Sequence, residues 1–258
     1  MILDRFRMTD RVAIVTGAGR GIGAGIARAL AEAGADVVCA ARTPGQIEET
    51  AAAVRAAGRR ALTVPCDVTE RTQLEDLVKA TLDTFERIDV VVNNAGGYPP
   101  LPALRTSERA FEEAFRFNVT TAFLLSRFTI PYLQEAPDGG TILNISSAAG
   151  RIVRSGFVAY GTAKAALSFM TRQLAAEFAP AVRVNAIAVG AVSTSALQPF
   201  LDDELEAKMA AMTPMRRIGT VEDIAAAAIW LCSPAGAWVT GKVVEVDGGT
   251  ESTNWPFD

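Results

Sequence analysis

The chain has 258 residues, half of them hydrophobic and 21% charged, with a formal net charge of −4. That composition suits a packed globule, excludes a disordered chain, and offers no basic excess for a nucleic-acid footprint. Histidine is absent, which excludes Ser-His-Asp and Cys-His nucleophile pairs and His-ligated zinc, and leaves acid–base work to Tyr, Lys, Asp or Glu.

The first residues, Met1 to Arg7, carry early charge and lack an apolar run, so no secretory leader is expected. Val12 to Val15 reads as a buried strand, and Gly21 to Gly34 as a helix with Ile22, Ile26, Ala29, Leu30 and Ala33 on one face. Val37 to Ala40 is the next strand, followed by a helix from Gln46 to Gly58. Ala61 to Pro65 is a third strand, Thr72 to Phe85 a helix, and Asp89 to Val92 a fourth strand. A helix from Ser107 to Asn118 continues to Gln134. Thr141 to Ile145 is a strand, Ala159 to Phe178 a long helix, and Val182 to Ala188 and Lys242 to Val246 are closing strands.

Strands that are apolar almost throughout, alternating with helices, indicate a parallel sheet covered on both faces. The expected fold is α/β: one doubly wound Rossmann domain over 1–258, with a parallel seven-stranded sheet. Two long uncharged stretches, Val184 to Leu201 and Ile224 to Gly241, are interrupted by polar residues, Pro and Gly, so buried core is expected and no membrane span. Cys39, Cys66 and Cys232 have no metal-ligand spacing. They read as apolar fillers in a reducing cytoplasm, and no metal is expected.

Thr16-Gly17-Ala18-Gly19-Arg20-Gly21-Ile22-Gly23 lies between the first strand and the first helix. Glycines there let the backbone approach a pyrophosphate while the helix N-terminus offers free N–H groups. The spacing differs from GxGxxG. Further motifs follow in order: Asn93-Asn94-Ala95-Gly96 after the fourth strand, Asn118 on the next helix, and Asn144-Ile145-Ser146-Ser147 ending the fifth strand. Tyr160-Gly161-Thr162-Ala163-Lys164 opens the long helix, and Asp247-Gly248-Gly249 follows the last strand. Together, from Val12 to Gly249, these resemble the short-chain dehydrogenase/reductase family. Within it the chain is similar to bacterial hydroxysteroid dehydrogenases and 3-oxoacyl-carrier-protein reductases.

Tyr160 and Lys164 stand four apart on a helix and share a face. A phenol is a poor base at neutral pH, and a nearby ammonium would lower its pKa. The resemblance implies roles. Tyr160 would give a proton to a carbonyl oxygen and take it back, and Ser147 would hydrogen-bond that oxygen. Lys164 would lower the pKa of Tyr160 and hold the nicotinamide ribose. Asn118 would anchor a water that passes the proton to solvent. Ser147, not Ser146, has the family spacing to Tyr160.

The resemblance also implies a cofactor set of Gly17, Gly19, Arg20, Gly21, Ile22, Gly23, Arg42, Asp67, Val68, Asn94, Ala95, Gly96, Gly190, Val192 and Thr194, beside Tyr160 and Lys164. Asp67-Val68 would meet the adenine, Asn94 to Gly96 the adenosine ribose, and Gly190, Val192 and Thr194 the carboxamide. An acidic residue ending the second strand would select NAD(H). That slot holds Ala41, then Arg42, while Asp36 comes too early, so NADP(H) is favoured over NAD(H), with Arg20 as a second cation. The family's Pro-Gly after the sixth strand is Val189-Gly190 here, which frees φ and restores an N–H.

A substrate lid is expected near 196–215, with an apolar set of Leu197, Phe200, Leu201, Leu205, Met209, Met212 and Met215; core packing would explain that set equally well. If it lines the site, the substrate is a hydrophobic carbonyl or alcohol: a steroid, an acyl chain or an aromatic ketone. Gly97 to Leu101 would be the opposite wall. The family implies a homotetramer. Two rival readings are a catalytically silent dinucleotide sensor, which would not need Ser147, Tyr160 and Lys164 together, and an epimerase or dehydratase, whose extended C-terminal region is missing.

Overall fold

The computed structural model describes residues 1–194 and 202–252. Seven strands form one parallel sheet: β1 Val12–Thr16, β2 Asp36–Ala41, β3 Ala61–Pro65, β4 Val90–Asn93, β5 Gly140–Ser147, β6 Val182–Val189 and β7 Val243–Val246. Their order is β3-β2-β1-β4-β5-β6-β7. Every residue of β1 and β4 is buried, as expected for strands covered on both faces. Alternate side chains serve two cores. Val15, Val37, Val92 and Leu143 face one core, and Ile14, Val38, Val91 and Ile142 the other.

Helices α1 Gly21–Glu32, α2 Pro44–Ala56 and α8 Val221–Cys232 supply Ile26, Leu30, Ile47, Val54, Ile224 and Leu231 to the first core. Helices α3 Arg71–Phe85, α5 Thr121–Gln134 and α6 Val158–Phe178 supply Leu74, Leu77, Leu125, Leu133 and Leu174 to the second. The chain runs outward through β1, β2 and β3 and returns beside β1 as β4. That reversal opens a crevice beyond the carboxyl ends of β1 and β4, the usual ligand position in a doubly wound sheet.

Three differences from the sequence reading have local causes. The helix expected from Ser107 to Gln134 is three pieces: α4 Glu108–Phe115, a π turn Arg116–Thr120, and α5. Asn118 sits in that π turn, its amide bonded to Gly97 and to the Ala114 carbonyl. Such single π turns occur often at functional sites. Asp36 does not precede β2 but heads it, opposite Val12, and accepts from the Arg60 N–H and an Arg59 ion pair. It serves the amino end of the sheet. The stretch from Ile224 begins as α8, started by a capping box between Thr220 and Asp223. Among the described residues no helix is long and apolar enough to cross a membrane.

Candidate active site

The glycine loop leaves β1 and enters α1 with no side chain to spare. Gly17 and Gly21 have φ of +63° and +55°, the left-handed region that favours glycine. A Cβ at Gly17 would lie 2.7 Å from Asn94 Nδ2, and one at Gly23 would lie 2.3 Å from the Gly17 carbonyl oxygen. Asn94 holds the turn by donating from Nδ2 to the Thr16 carbonyl at 2.8 Å. Thr16 Oγ1 accepts from the Asn94 and Ala95 N–H groups, each at 3.1 Å. The β1 and β4 loops are thus locked together, and the N-terminus of α1 faces the crevice.

The crevice is a cleft of about 690 Å³. Of the residues expected from the sequence, Gly17, Gly19, Arg20, Gly21, Ile22, Gly23, Arg42, Asp67, Val68, Asn94, Ala95, Gly96, Ser147, Tyr160, Lys164, Gly190, Val192 and Thr194 all line it. Asn118 does not. It is buried behind the wall, where a Cβ on Gly96 would come within 2.8 Å of its Oδ1 and 3.1 Å of Lys164 Nζ.

At the centre, Ser147 ends β5 and Tyr160 stands in the first turn of α6. The Ser147 hydroxyl is close enough to act on the Tyr160 phenol, and Ser147 Oγ accepts from the Ala149 N–H at 3.2 Å. Strand alternation sends the neighbouring Ser146 elsewhere. Ser146 Oγ meets the Lys164 carbonyl at 3.1 Å and Ser168 Oγ at 2.8 Å, and pins α6 to the sheet. Asn144 adds a second pin by donating to Thr171 Oγ1 at 2.9 Å.

Lys164 is buried, its Nζ donating to the Ile145 carbonyl at 2.8 Å and standing 5.7 Å from the Tyr160 ring centroid. Burial pushes the amine down to about 8. Burial pushes the Tyr160 phenol up, with the Ser147 hydrogen bond pulling weakly the other way. The resemblance gives Lys164 the role of lowering this phenol; burial is the larger influence on Tyr160 here. The ammonium is engaged with the Ile145 carbonyl, and desolvation sets the balance. A phenol raised in this way stays protonated at neutral pH, the form that can donate a proton.

Positive charge collects at the far end. Arg20, the N-cap residue of α1, and Arg42, just after β2, both line the cleft. Asp67 lies near Arg42. Burial works to raise its carboxyl, but the Thr69 N–H and hydroxyl and the Arg42 charge together hold it below the usual value. Gln46 closes this end, with its side chain about 3 Å from where a Gly19 Cβ would be. No group of three or more His, Cys, Asp or Glu able to hold a metal occurs among the described residues.

Val189, in place of the family's proline, extends β6 in register with Ser147 and Val246. Gly190 then donates to the Val246 carbonyl at 3.1 Å, and a Cβ there would be 2.6 Å from Asp247 Cα. The loop is thus held by the strand ladder and by close contact rather than by a ring.

The sequence reading missed several lining residues. Ile152, Arg154 and Phe157, from the loop between β5 and α6, form the wall that was assigned to Gly97 through Leu101. The latter segment does not line the cleft; Leu101 instead donates to the Gly156 carbonyl and braces the loop from outside. Of the lid set, Leu197, Phe200 and Leu201 lie outside the described residues. Helix α7 Asp203–Ala211 buries Leu205 and Met209 against Ile218, and Met209 also reaches the cleft. Met212 and Met215 are exposed.

The cleft fits a dinucleotide. Backbone replaces side chains where a pyrophosphate would approach, a helix N-terminus faces it, and a Tyr–Lys pair lines the same cleft. Comparison with known proteins agrees. A family model described as enoyl-(acyl carrier protein) reductase matches residues 17–251. An uncharacterized oxidoreductase of Mycobacterium tuberculosis is 50% identical over 255 residues, covering 98% of this chain and 97% of that protein. The 7α-hydroxysteroid dehydrogenase of Escherichia coli K12 is 38% identical over 247 residues, covering 95% and 96%. The chain belongs to the short-chain dehydrogenase/reductase family. It is therefore an oxidoreductase of a family that uses NAD(P)(H). A solved 7α-hydroxysteroid dehydrogenase, complexed with NADH and 7-oxo glycochenodeoxycholic acid, superposes with a TM-score of 0.92 at 37% identity, covering 96% and 97%. A short-chain type dehydrogenase/reductase from Mycobacterium marinum gives 0.92 at 31%, covering 97% and 99%.

Proposed function

We propose that this oxidoreductase acts on CH–OH groups and reduces a ketone on a hydrophobic small molecule to a secondary alcohol, with NADP(H) as the preferred cofactor. The observation that carries this reading is that Ser147, Tyr160 and Lys164 line one cleft together, with Ser147 acting on the Tyr160 phenol and Lys164 one helical turn away. When bound, the nicotinamide supplies hydride. Gly17 through Gly23 and Asn94 through Gly96 would hold the dinucleotide, with Asp67 and Val68 at the adenine and Gly190, Val192 and Thr194 at the carboxamide.

The chain's own contribution is a proton and its placement. Ser147 presents its hydroxyl to the substrate oxygen and stabilises negative charge that develops there. Tyr160, held protonated by burial, donates to the same oxygen. Lys164 reaches between the Ile145 carbonyl and the ribose position. Asn118 shapes the backbone at Gly96 and Gly97, where a water would reload the proton from solvent. Arg42 and Arg20 favour a 2′-phosphate over a bare hydroxyl because Ala41 offers no carboxylate to repel it.

The 7α-hydroxysteroid dehydrogenase relatives favour a fused-ring or similarly apolar ketone, and Ile152, Phe157 and Met209 give the cleft apolar lining that would suit one. Exposed aromatic side chains at Phe111, Phe115, Phe123 and Phe169 on α4 through α6, and Trp238 before β7, suit an interface between copies of the chain, in keeping with the cytoplasmic homotetramer that the family resemblance implies. The test is NADPH consumption across a panel of steroid, 3-oxoacyl and aryl ketones. Turnover that vanishes in Tyr160→Phe supports the reading. NADPH binding with no turnover across the panel would return the chain to the silent-sensor class.

A further inference from the structure

Arg151 stands just past the short 3₁₀ turn Ala148–Gly150 that follows Ser147. That turn is seated on the start of α6. A Cβ on Gly150 would lie 2.9 Å from the Lys164 carbonyl carbon, and one on Gly161 would lie 2.8 Å from the Ala149 carbonyl oxygen. The Arg151 N–H closes the turn by donating to the Ala148 carbonyl at 2.9 Å. The Arg151 backbone is therefore held with the segment that presents Ser147, Tyr160 and Lys164.

Its side chain reaches a different element. The guanidinium meets Glu245 on β7 at 2.9 Å, Asp247 at 3.4 Å and Glu251 at 3.5 Å, and donates to the Thr250 carbonyl at 2.8 Å. Exposed ion pairs hold little. Two of these partners are sheltered, however: the Asp247 side chain is only 5% exposed, and Thr250 is buried and lines the cleft. Asp247 also builds the turn after β7. Its Oδ1 accepts from the Gly249 N–H at 3.0 Å and the Thr250 N–H at 3.3 Å, and Thr250 Oγ1 donates to its carbonyl at 2.7 Å.

This turn backs two other parts of the cleft. A Cβ on Gly190 would lie 2.6 Å from Asp247 Cα, so the backbone assigned to the carboxamide rests directly on it. The Gly248 carbonyl accepts from the Met215 N–H at 3.2 Å, so the turn also holds the chain that leaves α7. One guanidinium thus ties the face bearing the proton donor to the turn supporting the carboxamide loop.

We infer that Arg151 is a positioning residue for hydride transfer, setting the separation between the Ser147–Tyr160 face and the Gly190 loop. This rests on the ketone-reductase reading above, in which the first holds the substrate oxygen and the second the nicotinamide. Rates are steep in such a separation, and a displacement of about 1 Å can cost about 10²-fold. The adenosine end, built from the loops after β1, β2 and β3, lies outside the tie.

The experiment compares native protein with Arg151→Gln in two assays. Calorimetric titration reads affinity for NADPH and for adenosine 2′,5′-bisphosphate, which carries the adenosine end alone. Turnover of a reducible ketone reads kcat and KM. Arg151→Gln should lower kcat about 10–100-fold with little change in the ketone KM. It should weaken NADPH about fivefold, the scale of one hydrogen bond, and leave the bisphosphate unmoved, which also shows that the fold is intact. Arg151→Lys should recover part of kcat, since an ammonium keeps the charge but not the fork. Asp247→Asn keeps an oxygen for the Gly249 and Thr250 N–H groups and loses the charge facing Arg151. It should shift kcat and NADPH affinity the same way, and it serves if Arg151→Gln does not fold. Native kcat and native NADPH affinity in the folded variants overturn the inference and leave the reductase reading intact. An equal loss of affinity for NADPH and the bisphosphate also overturns it, because the role is then a general structural one. No turnover of any ketone by native protein overturns the reductase reading and, with it, the hydride-transfer role.

Discussion

Both ends of the Asn118 side-chain amide are bonded to one residue, Gly97. Oδ1 accepts from its N–H at 2.8 Å, and Nδ2 donates to its carbonyl at 3.1 Å. Gly97 has φ of +135°, so the clamp holds a backbone conformation that few other residues adopt. It joins the π turn before α5 to the loop after β4, and sets the wall beside Gly96 and Lys164.

Asn118→Ala should therefore do two things. Removing the amide takes a partner from the half-buried Gly97 N–H and carbonyl and from the buried Ala114 carbonyl. The expected loss is about 1–3 kcal/mol of stability, read by urea unfolding. NADPH affinity should fall as well, because the Gly96 backbone loses its support. A variant with native stability but no turnover would instead confine Asn118 to the proton path.

Tyr160 and Lys164 predict the pH profile of reduction. Burial raises the phenol, so its proton is retained through neutral pH and lost only above the ordinary tyrosine value. Burial lowers the amine to about 8, so its charge is lost first as pH rises. The kcat/KM for ketone reduction should be flat near neutrality and fall above about pH 8, the direction set by loss of the Lys164 charge. Tyr160→Phe should lower kcat by roughly 10²–10⁴ while cofactor affinity changes little. A rate that stays level to pH 10 would detach the limb from Lys164.

Arg42 and Ala41 predict the cofactor preference. Arg42→Ala should weaken NADPH binding about tenfold and leave NADH nearly unmoved, since the exposed guanidinium acts on the 2′-phosphate alone. The NADPH advantage should shrink as salt is raised, because an exposed ion pair is screened. Ala41→Asp should move preference toward NADH. Parallel fluorescence titrations read all of these, and native protein that binds NADH more tightly would overturn the assignment.

Much of this was legible in the chain because parallel strands buried on both faces are written as apolar runs. Ala61–Pro65 was placed to the residue, and the other strands to within two residues at each end. The glycine loop was legible because glycine suits the positive φ at Gly17 and Gly21 and the close contacts at Gly17 and Gly23. Orientation was not. Ser147 was preferred over Ser146 on spacing, but only strand alternation shows one hydroxyl at Tyr160 and the other at Ser168. The π turn depends on the bonds of Asn118 to Gly97, twenty-one residues away, and no helical period announces it. Lys164 carries a pattern but no sign of its aim. Its engagement with the Ile145 carbonyl and its depressed pKa arise from burial, which spacing does not encode.

The three cysteines predict a loss of stability at alkaline pH. Each is fully or almost fully buried. Burial pushes the thiols of Cys39 and Cys232 up to about 12 and that of Cys66 up to about 11, against an ordinary value of 9.0. Above pH 9 the unfolded chain releases these protons while the folded chain keeps them. The unfolded state then binds fewer protons, and stability falls with rising pH. The contribution is whole below pH 9 and is lost progressively up to pH 11–12. Lys164 acts oppositely between about pH 8 and 10.5, because there the unfolded chain keeps a proton that the folded chain has lost. Three thiols against one amine leave a net decline, each uncompensated proton contributing about 1.4 kcal/mol per pH unit. Urea unfolding at pH 7.5 and pH 10 should show the drop. Cys39→Ala should lose stability at pH 7.5 through its cavity yet show a smaller drop, by about 1 kcal/mol, on going to pH 10. An identical drop in native protein and Cys39→Ala would show that other groups govern the alkaline limb.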